Sequence, residues 1–555
     1  MNKTRPTKRP APRVKAVGLA ALALSAGLAA WPVMAETLSA SALEKRIATA
    51  EAQGDTLPVA AFYQRLQQPS AWQTAAQVDA LVEALETLKS DGLAPADYLD
   101  AAESGETLNQ AFERSQAGDD QARAAFEVRA TEALLLALEH LQRGRLSPAE
   151  IEPGWETPAP RRTYSMARVA TAVTDGNLAD ALALARPDTA AYRQLREALI
   201  DYRALAQTAQ TAQRSSAPLV PARDDALRRD DDNEDVATLR RRLAYWGMDE
   251  VLFGDPDTYA YIDIPASNAT RFDAGLEAAV KRFQRRHLLS ADGVVGGKTR
   301  RALNGSLGSH VDTLRANLER ARWMQPVMAR RPGVWVDIAG YRMHYTRPDG
   351  ERWSSRVVVG SARRKTPVIH SAITHFTVNP TWTVPPTIWR EDVQPKLKHD
   401  TSYLARRNMQ VLSADGARLD PEAIDWRAPG NVMLRQSAGA ANPLGRVVVR
   451  FPNSQLIYLH DTPAQGLFTR DRRALSSGCV RVEGVRELVR MLLKDTGSRY
   501  RLSELLQRGK SDLNVNLPER VPVALVYLTA WPDATGQVTF RPDIYRRDAT
   551  LLNAL

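Results

Sequence analysis

The chain has 555 residues, 44% hydrophobic and 25% charged, close to globular averages, which excludes a wholly disordered chain, a collagen and a polytopic membrane protein. Of its +10 formal charge, six units come from Lys3, Arg5, Lys8, Arg9, Arg13 and Lys15; residues 1–35 hold no acid, so the remainder carries +4 and bulk charge does not point to nucleic acid. A single cysteine excludes an internal disulfide and a four-cysteine zinc site; with no HExxH pair, no Walker loop and no GxGxxG after a strand-like run, no metal or nucleotide cofactor is expected.

Residues 1–35 read as a secretory signal peptide. A basic region runs to Lys15, an uncharged apolar stretch follows from Ala16 to Ala30, Pro32 breaks it, and Val33-Met34-Ala35 places small residues before a cut at Glu36. The alternative is an uncut inner-membrane anchor, since Ala16 to Ala35 is just long enough to span a bilayer at ~20 residues. Either way the body is expected in the periplasm. Residues 36–206 carry helical spacing, as in Val78, Leu81, Leu85, Leu88 and in Ala130, Leu134, Ala137, Leu141. Asp91-Gly92 and Arg143-Gly144 are plausible stops. This segment reads as an all-helical scaffold. Residues 207–234 read as a linker, with Pro218, Pro221 and a dense Arg/Asp mixture through Asp232.

Residues 235–305 read as a small helical unit. Val236, Leu239, Leu243 and Trp246 form one stripe; Leu276, Val280, Phe283 and His287 form a second; Asp292-Gly293 turns the chain toward a short third helix, Thr299 to Leu303. The string LEAAVKRFQRRHLLSADGVVGGKTRRALN resembles the three-helix peptidoglycan-binding type 1 module. A connecting helix is expected within 306–332. From Val334 the pattern becomes short apolar strands: Val334–Ile338, Arg356–Val359, Ala372–Val378, Arg446–Phe451, Leu456–Leu459 and, late, Val521–Leu528. They delimit a β-rich domain over 333–530, with a long insertion at 387–433 that reads as a lid and a C-terminal tail at 531–555.

The chemistry sits in YLHDTPAQGLFTRDRRALSSGCVRV. It holds Cys479 and, 19 residues earlier, His460, which a strand ending at Leu459 presents at its lip. Ser476-Ser477-Gly478-Cys479 is a small-residue turn. A thiol of pKa ~8.5 needs a neighbouring imidazole or helix start to become a good nucleophile. Gly478 lets a substrate approach closely, and the N–H groups of the turn can face a developing oxyanion. The bland alternative is a buried packing cysteine and a satisfied core histidine.

The HDTP and SSGCVRV motifs resemble those of the L,D-transpeptidase catalytic domain (YkuD type). RKTPVIHSAITHFTVNPTWTVP and the LG…FPN…YLHDTP stretch extend the likeness, and GLAPADYLD and HLQRGRLSPAEI resemble the helical region of the large Gram-negative members. The fold expected is therefore multidomain α+β: helical scaffold, three-helix binding module and β-rich catalytic domain. Two positions depart from the family pattern: Ser477 stands where many members have histidine, and Asp461 where many have Gly or Ser. The resemblance implies that Cys479 attacks the amide between diaminopimelate and the terminal D-alanine of a stem peptide. His460 serves as base, its ring oriented by the Asp461 carbonyl, and backbone groups of Gly478, Cys479 and Ser477 are oxyanion candidates. A second stem's amine then resolves the thioester to a 3→3 cross-link; water would make the site an L,D-carboxypeptidase, and another amine would attach a lipoprotein. Two other classes are a sortase-like thiol transpeptidase, which the short His-to-Cys spacing and the Ser-Ser-Gly-Cys turn fit poorly, and a catalytically silent wall-binding scaffold. Arg481, Tyr458, Arg435 and Trp382 are candidate substrate contacts, and ten basic against four acidic residues between Glu351 and Gln410 suit stem carboxylates. The implied partners are peptidoglycan stem peptides and glycan, with carbapenem-type β-lactams as inhibitors and no nucleic acid.

Overall fold

The computed structural model describes residues 38–52, 58–66, 68, 70–101, 104–152, 154–211, 218–247, 269–328 and 333–555. The expected signal segment, 1–35, lies outside them. Among the described residues no helix is long and apolar enough to cross a membrane.

The apolar periodicity of the N-terminal half becomes helices packed on one another. In the 24-residue helix Asp120–Arg143, Ala130, Leu134, Ala137 and Leu141 are fully buried. They meet Val78, Leu81, Leu85 and Leu88 in one core. Asp119 caps the long helix by accepting from the N–H groups of Gln121 and Ala122, which offsets two of its orphan donors. The next long helix, Ala190–Thr211, continues past residue 206 into the expected linker.

The three helices of the small module are Glu234–Tyr245, Ala274–Arg286 and Gly297–Leu303. Its FQ…DGVVG signature has a structural cause. The buried Gln284 amide donates to Asp292 Oδ1 (2.8 Å) and the Val294 carbonyl (2.9 Å), and its Oε1 accepts from Gly293 N–H (2.9 Å). One side chain thus saturates the turn between second and third helices. The module is not a bead on a string. Its Trp246, Phe283 and Leu276 share a core with Leu195 and Leu199 of helix Ala190–Thr211, Leu314 and Leu318 of helix Leu307–Trp323, and Phe540 near the C-terminus.

Two boundaries read from sequence change accordingly. The second half of the 207–234 segment is packed: Val220 and Leu227 are buried, and Asn304 brackets Val220 with two 2.9 Å bonds to its backbone. A charge-rich composition did not reveal these two anchors. Residues 531–555 are likewise no loose tail. They form a short hairpin and the helix Arg547–Ala554, and place Tyr545 in the core of the β-rich domain.

Fifteen strands follow residue 333. They are β1 (Val334–Asp337), β2 (Arg342–Thr346), β3 (Arg352–Gly360), β4 (Ile369–Val378), β5 (Trp382–Thr383), β6 (Met409–Leu412), β7 (Arg418–Leu419) and β8 (Met433–Gln436). Then come β9 (Val447–Arg450), β10 (Leu459–His460), β11 (Ala474–Ser476), β12 (Val480–Val482), β13 (Leu513–Val526), β14 (Ala530–Pro532) and β15 (Val538–Phe540). The main sheet runs β11-β3-β12-β10-β9-β4-β13-β1-β2, and β2 also pairs with β3, so the sheet closes on itself. Closure removes open edges. The amphipathic helix Val485–Asp495 buries Val485, Leu488, Val489, Leu492 and Leu493 against the same core, each worth about 1.5–3 kcal/mol relative to exposure.

The insertion expected over 387–433 is a folded unit. Strands β5-β8-β6-β7 form a second sheet with its own core of Val384, Leu397, Leu404, Val411, Trp426 and Leu434. Its strands begin at Trp382 and end at Gln436, so the insertion takes in both of its borders. The strand expected at Leu456–Leu459 is shorter: only Leu459 and His460 are extended, and Leu456 sits in a loop with φ +55°.

Candidate active site

Strands β10 and β12 are parallel neighbours, with Leu459 opposite Val480 and His460 opposite Arg481. The Val480 N–H donates to the Tyr458 carbonyl (3.1 Å), so Cys479 falls opposite Tyr458. Side chains alternate faces along a strand. Leu459 and Val480 point into the barrel core, both fully buried, and Tyr458, His460, Cys479 and Arg481 therefore share the other face. Diagonal neighbours two residues apart on adjacent strands are ~7–8 Å apart at the backbone, within reach of an imidazole.

His460 is 5% exposed. Its Nδ1–H donates to the Asp461 carbonyl at 2.6 Å, which leaves the Nε2 lone pair for chemistry. Burial, with the Arg481 charge beside it, pushes its pKa down to about 3 against the pull of that hydrogen bond. Cys479 is half-buried, and burial pushes its thiol up despite Tyr458, Arg450 and Arg481 nearby. Both shifts favour a neutral thiol beside a neutral imidazole, not a resting ion pair. The Tyr458 ring stands edge-on to His460 with centroids 5.7 Å apart, and the Arg450 guanidinium lies 5.3 Å from the centre of that tyrosine ring. Arg481 is largely buried, and its Nε has no acceptor among the described residues.

The Asp461 carboxylate looks away from the ring. Oδ2 accepts from Arg446 N–H (3.1 Å) and Oδ1 from Thr462 N–H (2.9 Å). Gly445 makes room for it, since a Cβ there would stand 2.5 Å from the Asp461 Cβ.

The Ser476–Cys479 turn differs from the sequence expectation at one point. Gly478 N–H donates to Ser476 Oγ (3.2 Å), and that hydroxyl donates to the Cys479 carbonyl (2.6 Å). The Gly478 donor is thus spent inside the turn, and the Ser477 and Cys479 N–H groups remain as oxyanion candidates. Gly478 has φ +117°, which requires glycine. Its carbonyl accepts from Thr366 Oγ1 at 2.7 Å, and Thr366 N–H donates to the Tyr545 hydroxyl at 3.0 Å.

Arg364 is the other contact that motif reading missed. It donates to Ser477 Oγ (2.9 Å) while pairing with Asp392 (2.5 Å) and Glu391 (2.6 Å) of the insertion. Its guanidinium holds both carboxyls below their usual range. The strand-breaking run around Arg363-Arg364-Lys365 was a visible signal, though nothing local says which acids it meets. Trp382 and Arg435 lie apart from the shared face, on the small sheet, where Arg435 Nε donates to Thr383 Oγ1 (3.2 Å). Among the described residues no cluster of three or more His, Cys, Asp or Glu side chains is arranged to hold a metal.

Comparison with known proteins agrees with this layout. Residues 331–503 match the L,D-transpeptidase catalytic domain, 232–303 the family described as "Putative peptidoglycan binding domain", and 58–199 a scaffold domain. A Haemophilus influenzae protein named "Putative L,D-transpeptidase" is 39% identical over 219 residues, covering 39% of this chain and 44% of that protein. The barrel that carries His460 and Cys479 is thus an L,D-transpeptidase catalytic domain of the YkuD family, joined in one chain to a scaffold domain and a peptidoglycan-binding type 1 domain.

Proposed function

We propose that the protein is a periplasmic cysteine-dependent L,D-transpeptidase that forms 3→3 cross-links in peptidoglycan. The observation that carries this reading is the shared face: the only cysteine, just before the start of one strand, and a buried neutral histidine on its neighbour, beside a guanidinium whose buried Nε has no partner among the described residues.

In this reading Cys479 Sγ attacks the carbonyl of diaminopimelate in a tetrapeptide stem as His460 Nε2 takes the thiol proton. The Cys479 N–H faces the oxyanion, and Arg481 holds a stem carboxylate. The C–N bond breaks, His460 returns its proton to the leaving D-alanine amine, and a thioester remains. The side-chain amine of a second stem's diaminopimelate attacks that thioester, His460 takes the amine's proton, and the released sulfur regains it. Exclusion of water by the folded insertion favours the amine over hydrolysis. Carbapenems, whose ring carbonyl meets the same sulfur, are expected to acylate Cys479.

The test is incubation with purified disaccharide-tetrapeptide followed by mass analysis. Cross-linked dimers lacking one D-alanine are expected, and Cys479→Ala should yield none. Tripeptide monomers alone would make the protein an L,D-carboxypeptidase. D-Alanine release by a folded Cys479→Ala variant at the parental rate would remove the mechanism.

A further inference from the structure

A strap from the scaffold region reaches the catalytic barrel. Glu152 is locked by Arg320 (2.8 Å) and Arg547 (3.0 Å), and Trp155 stands edge-on to Trp323 with centroids 5.2 Å apart. Glu156 then joins the start of β4: its N–H donates to the Val368 carbonyl (2.8 Å), and its own carbonyl accepts from His370 N–H (2.9 Å). The backbone of Glu156 is therefore fixed on the barrel.

Its side chain grips the loop that precedes β10. The carboxylate accepts from Ser454 N–H (3.4 Å), from the Ser454 hydroxyl and from Gln455 Nε2 (3.4 Å). Gln455 Nε2 also donates to the Gly154 carbonyl (3.3 Å). Glycine suits that position because Gly154 has φ +83°, in the left-handed region. Inside the loop, Asn453 Oδ1 accepts from the N–H groups of Gln455 (3.2 Å) and Ile457 (2.9 Å). The product is Leu456 at φ +55°, with 80% of its surface exposed. A left-handed leucine costs ~1–2 kcal/mol, and no burial of its side chain offsets that cost. What the conformation delivers is a carbonyl facing Cys479 Sγ at 3.9 Å.

We infer that Glu156 is a positioning residue for the nucleophile: by holding Ser454 and Gln455 it sets the Leu456 carbonyl that receives the Cys479 S–H. The inference takes from the proposed function only that Cys479 is the nucleophile. A carbonyl oxygen accepts from a thiol and repels a thiolate, so the contact keeps the proton on sulfur and fixes the sulfur's direction. The scaffold thereby acts on the chemistry, although none of its side chains belongs to the catalytic motif.

Because Cys479 is the only cysteine, iodoacetamide alkylation of the full chain against pH reads one sulfur. Glu156→Ala should lower the midpoint of that profile by about 0.4–1 pH unit, the equivalent of one hydrogen bond. Ser454→Ala should shift it the same way by less, and it carries the test should Glu156→Ala fail to fold. Glu156→Gln, which keeps one acceptor oxygen, should lie nearer the parent. Arg145→Ala breaks scaffold contacts to Asp97 (2.9 Å) and the Leu555 carbonyl and leaves the Glu156 contacts to Ser454 and Gln455 in place; it should lower the melting temperature and leave the profile unmoved. The idea is overturned if folded Glu156→Ala and Ser454→Ala both titrate as the parent does, or if Arg145→Ala shifts the profile as far as they do. Alkylation needs no peptidoglycan, so a shifted profile in a protein that turns over no muropeptide would sink the proposed function and leave this inference standing.

Discussion

Replacing Arg364 by alanine cuts a side chain that bonds both Ser477 of the turn and Glu391 and Asp392 of the insertion. The guanidinium is 19% exposed, and its two carboxylate partners, Glu391 and Asp392, are 42% and 44% exposed. Pairs that open to solvent contribute ~0.2–1 kcal/mol each, and the bond to Ser477 Oγ adds about 1 kcal/mol. Docking of the insertion on the turn should weaken by about 1.4–3 kcal/mol, equivalent to roughly a 10–160-fold shift in the docked population. The assay is the rate of Cys479 acylation by a carbapenem, with kcat and KM for tetrapeptide measured in parallel. Arg364→Ala should raise KM and slow acylation, while the folded protein keeps its thiol and its melting temperature within a few degrees. In 1 M salt, with the Debye length near 3 Å, the parent should move toward the variant, because screening weakens the two ion pairs and spares the neutral acceptor. The double substitution Glu391→Gln with Asp392→Asn should cost less than Arg364→Ala, since the Ser477 contact survives. Parental kinetics for Arg364→Ala, or a loss as complete as that of Cys479→Ala, would refute the reasoning: the first leaves docking unimportant, and the second makes Arg364 part of the chemistry.

Two further outcomes follow from the same geometry. Gly478→Ala has space for its Cβ, whose nearest neighbour is Ile457 Cδ1 at 3.4 Å, but not the backbone freedom for φ +117°; it should cost about 1–3 kcal/mol and slow acylation at least tenfold, read by denaturant titration and by mass shift, and parental values for both would show the turn to be relaxed. Burial drives the pKa of His460 down to about 3, of His310 to about 3, and of His140 and His287 to about 4. These imidazoles bind protons more readily in the unfolded chain, near pH 6.5. Stability should therefore be fully present above pH ~6.5 and fall as pH drops toward ~4; a melting temperature constant from pH 7 to 4.5 would contradict the buried neutral assignment.

The sequence was informative where chemistry depends on near neighbours. The spacing of Leu134, Ala137 and Leu141 prescribes a buried helix face, and the DGVVG turn announces its own need for Gln284 to close it. The pair His460 and Cys479 was legible because a strand end and a glycine turn are local statements. What stayed hidden depends on long closures. Tyr545 hydrogen-bonds Thr366 across 179 positions, and Glu156 meets Ser454 across 298. No periodicity carries such a pairing, and a glutamate or a C-terminal tyrosine looks in sequence like any other. Composition also misled: the Arg/Asp run after Pro221 is solvated along most of its length, yet two apolar residues, Val220 and Leu227, seat it on the binding module.

The hidden contacts share a physical logic. A turn such as Ser477-Gly478-Cys479, with Gly478 held at φ +117° and Ser477 exposed, persists only if its surroundings over-determine it. Three tethers reach it, two from the loop at 364–366 and one from the loop before β10, and each is anchored by a different distant region. Thr366, itself held by Tyr545, takes the Gly478 carbonyl; Arg364, anchored in the insertion, takes the Ser477 hydroxyl; and the loop gripped by Glu156 offers Leu456 to the sulfur. Each tether leads to a different part of the chain: the C-terminal segment, the insertion and the scaffold. Cys479 is thereby sensitive to the integrity of regions distant from it in sequence, and loosening any one of them should be felt at its thiol before it is felt in the global fold.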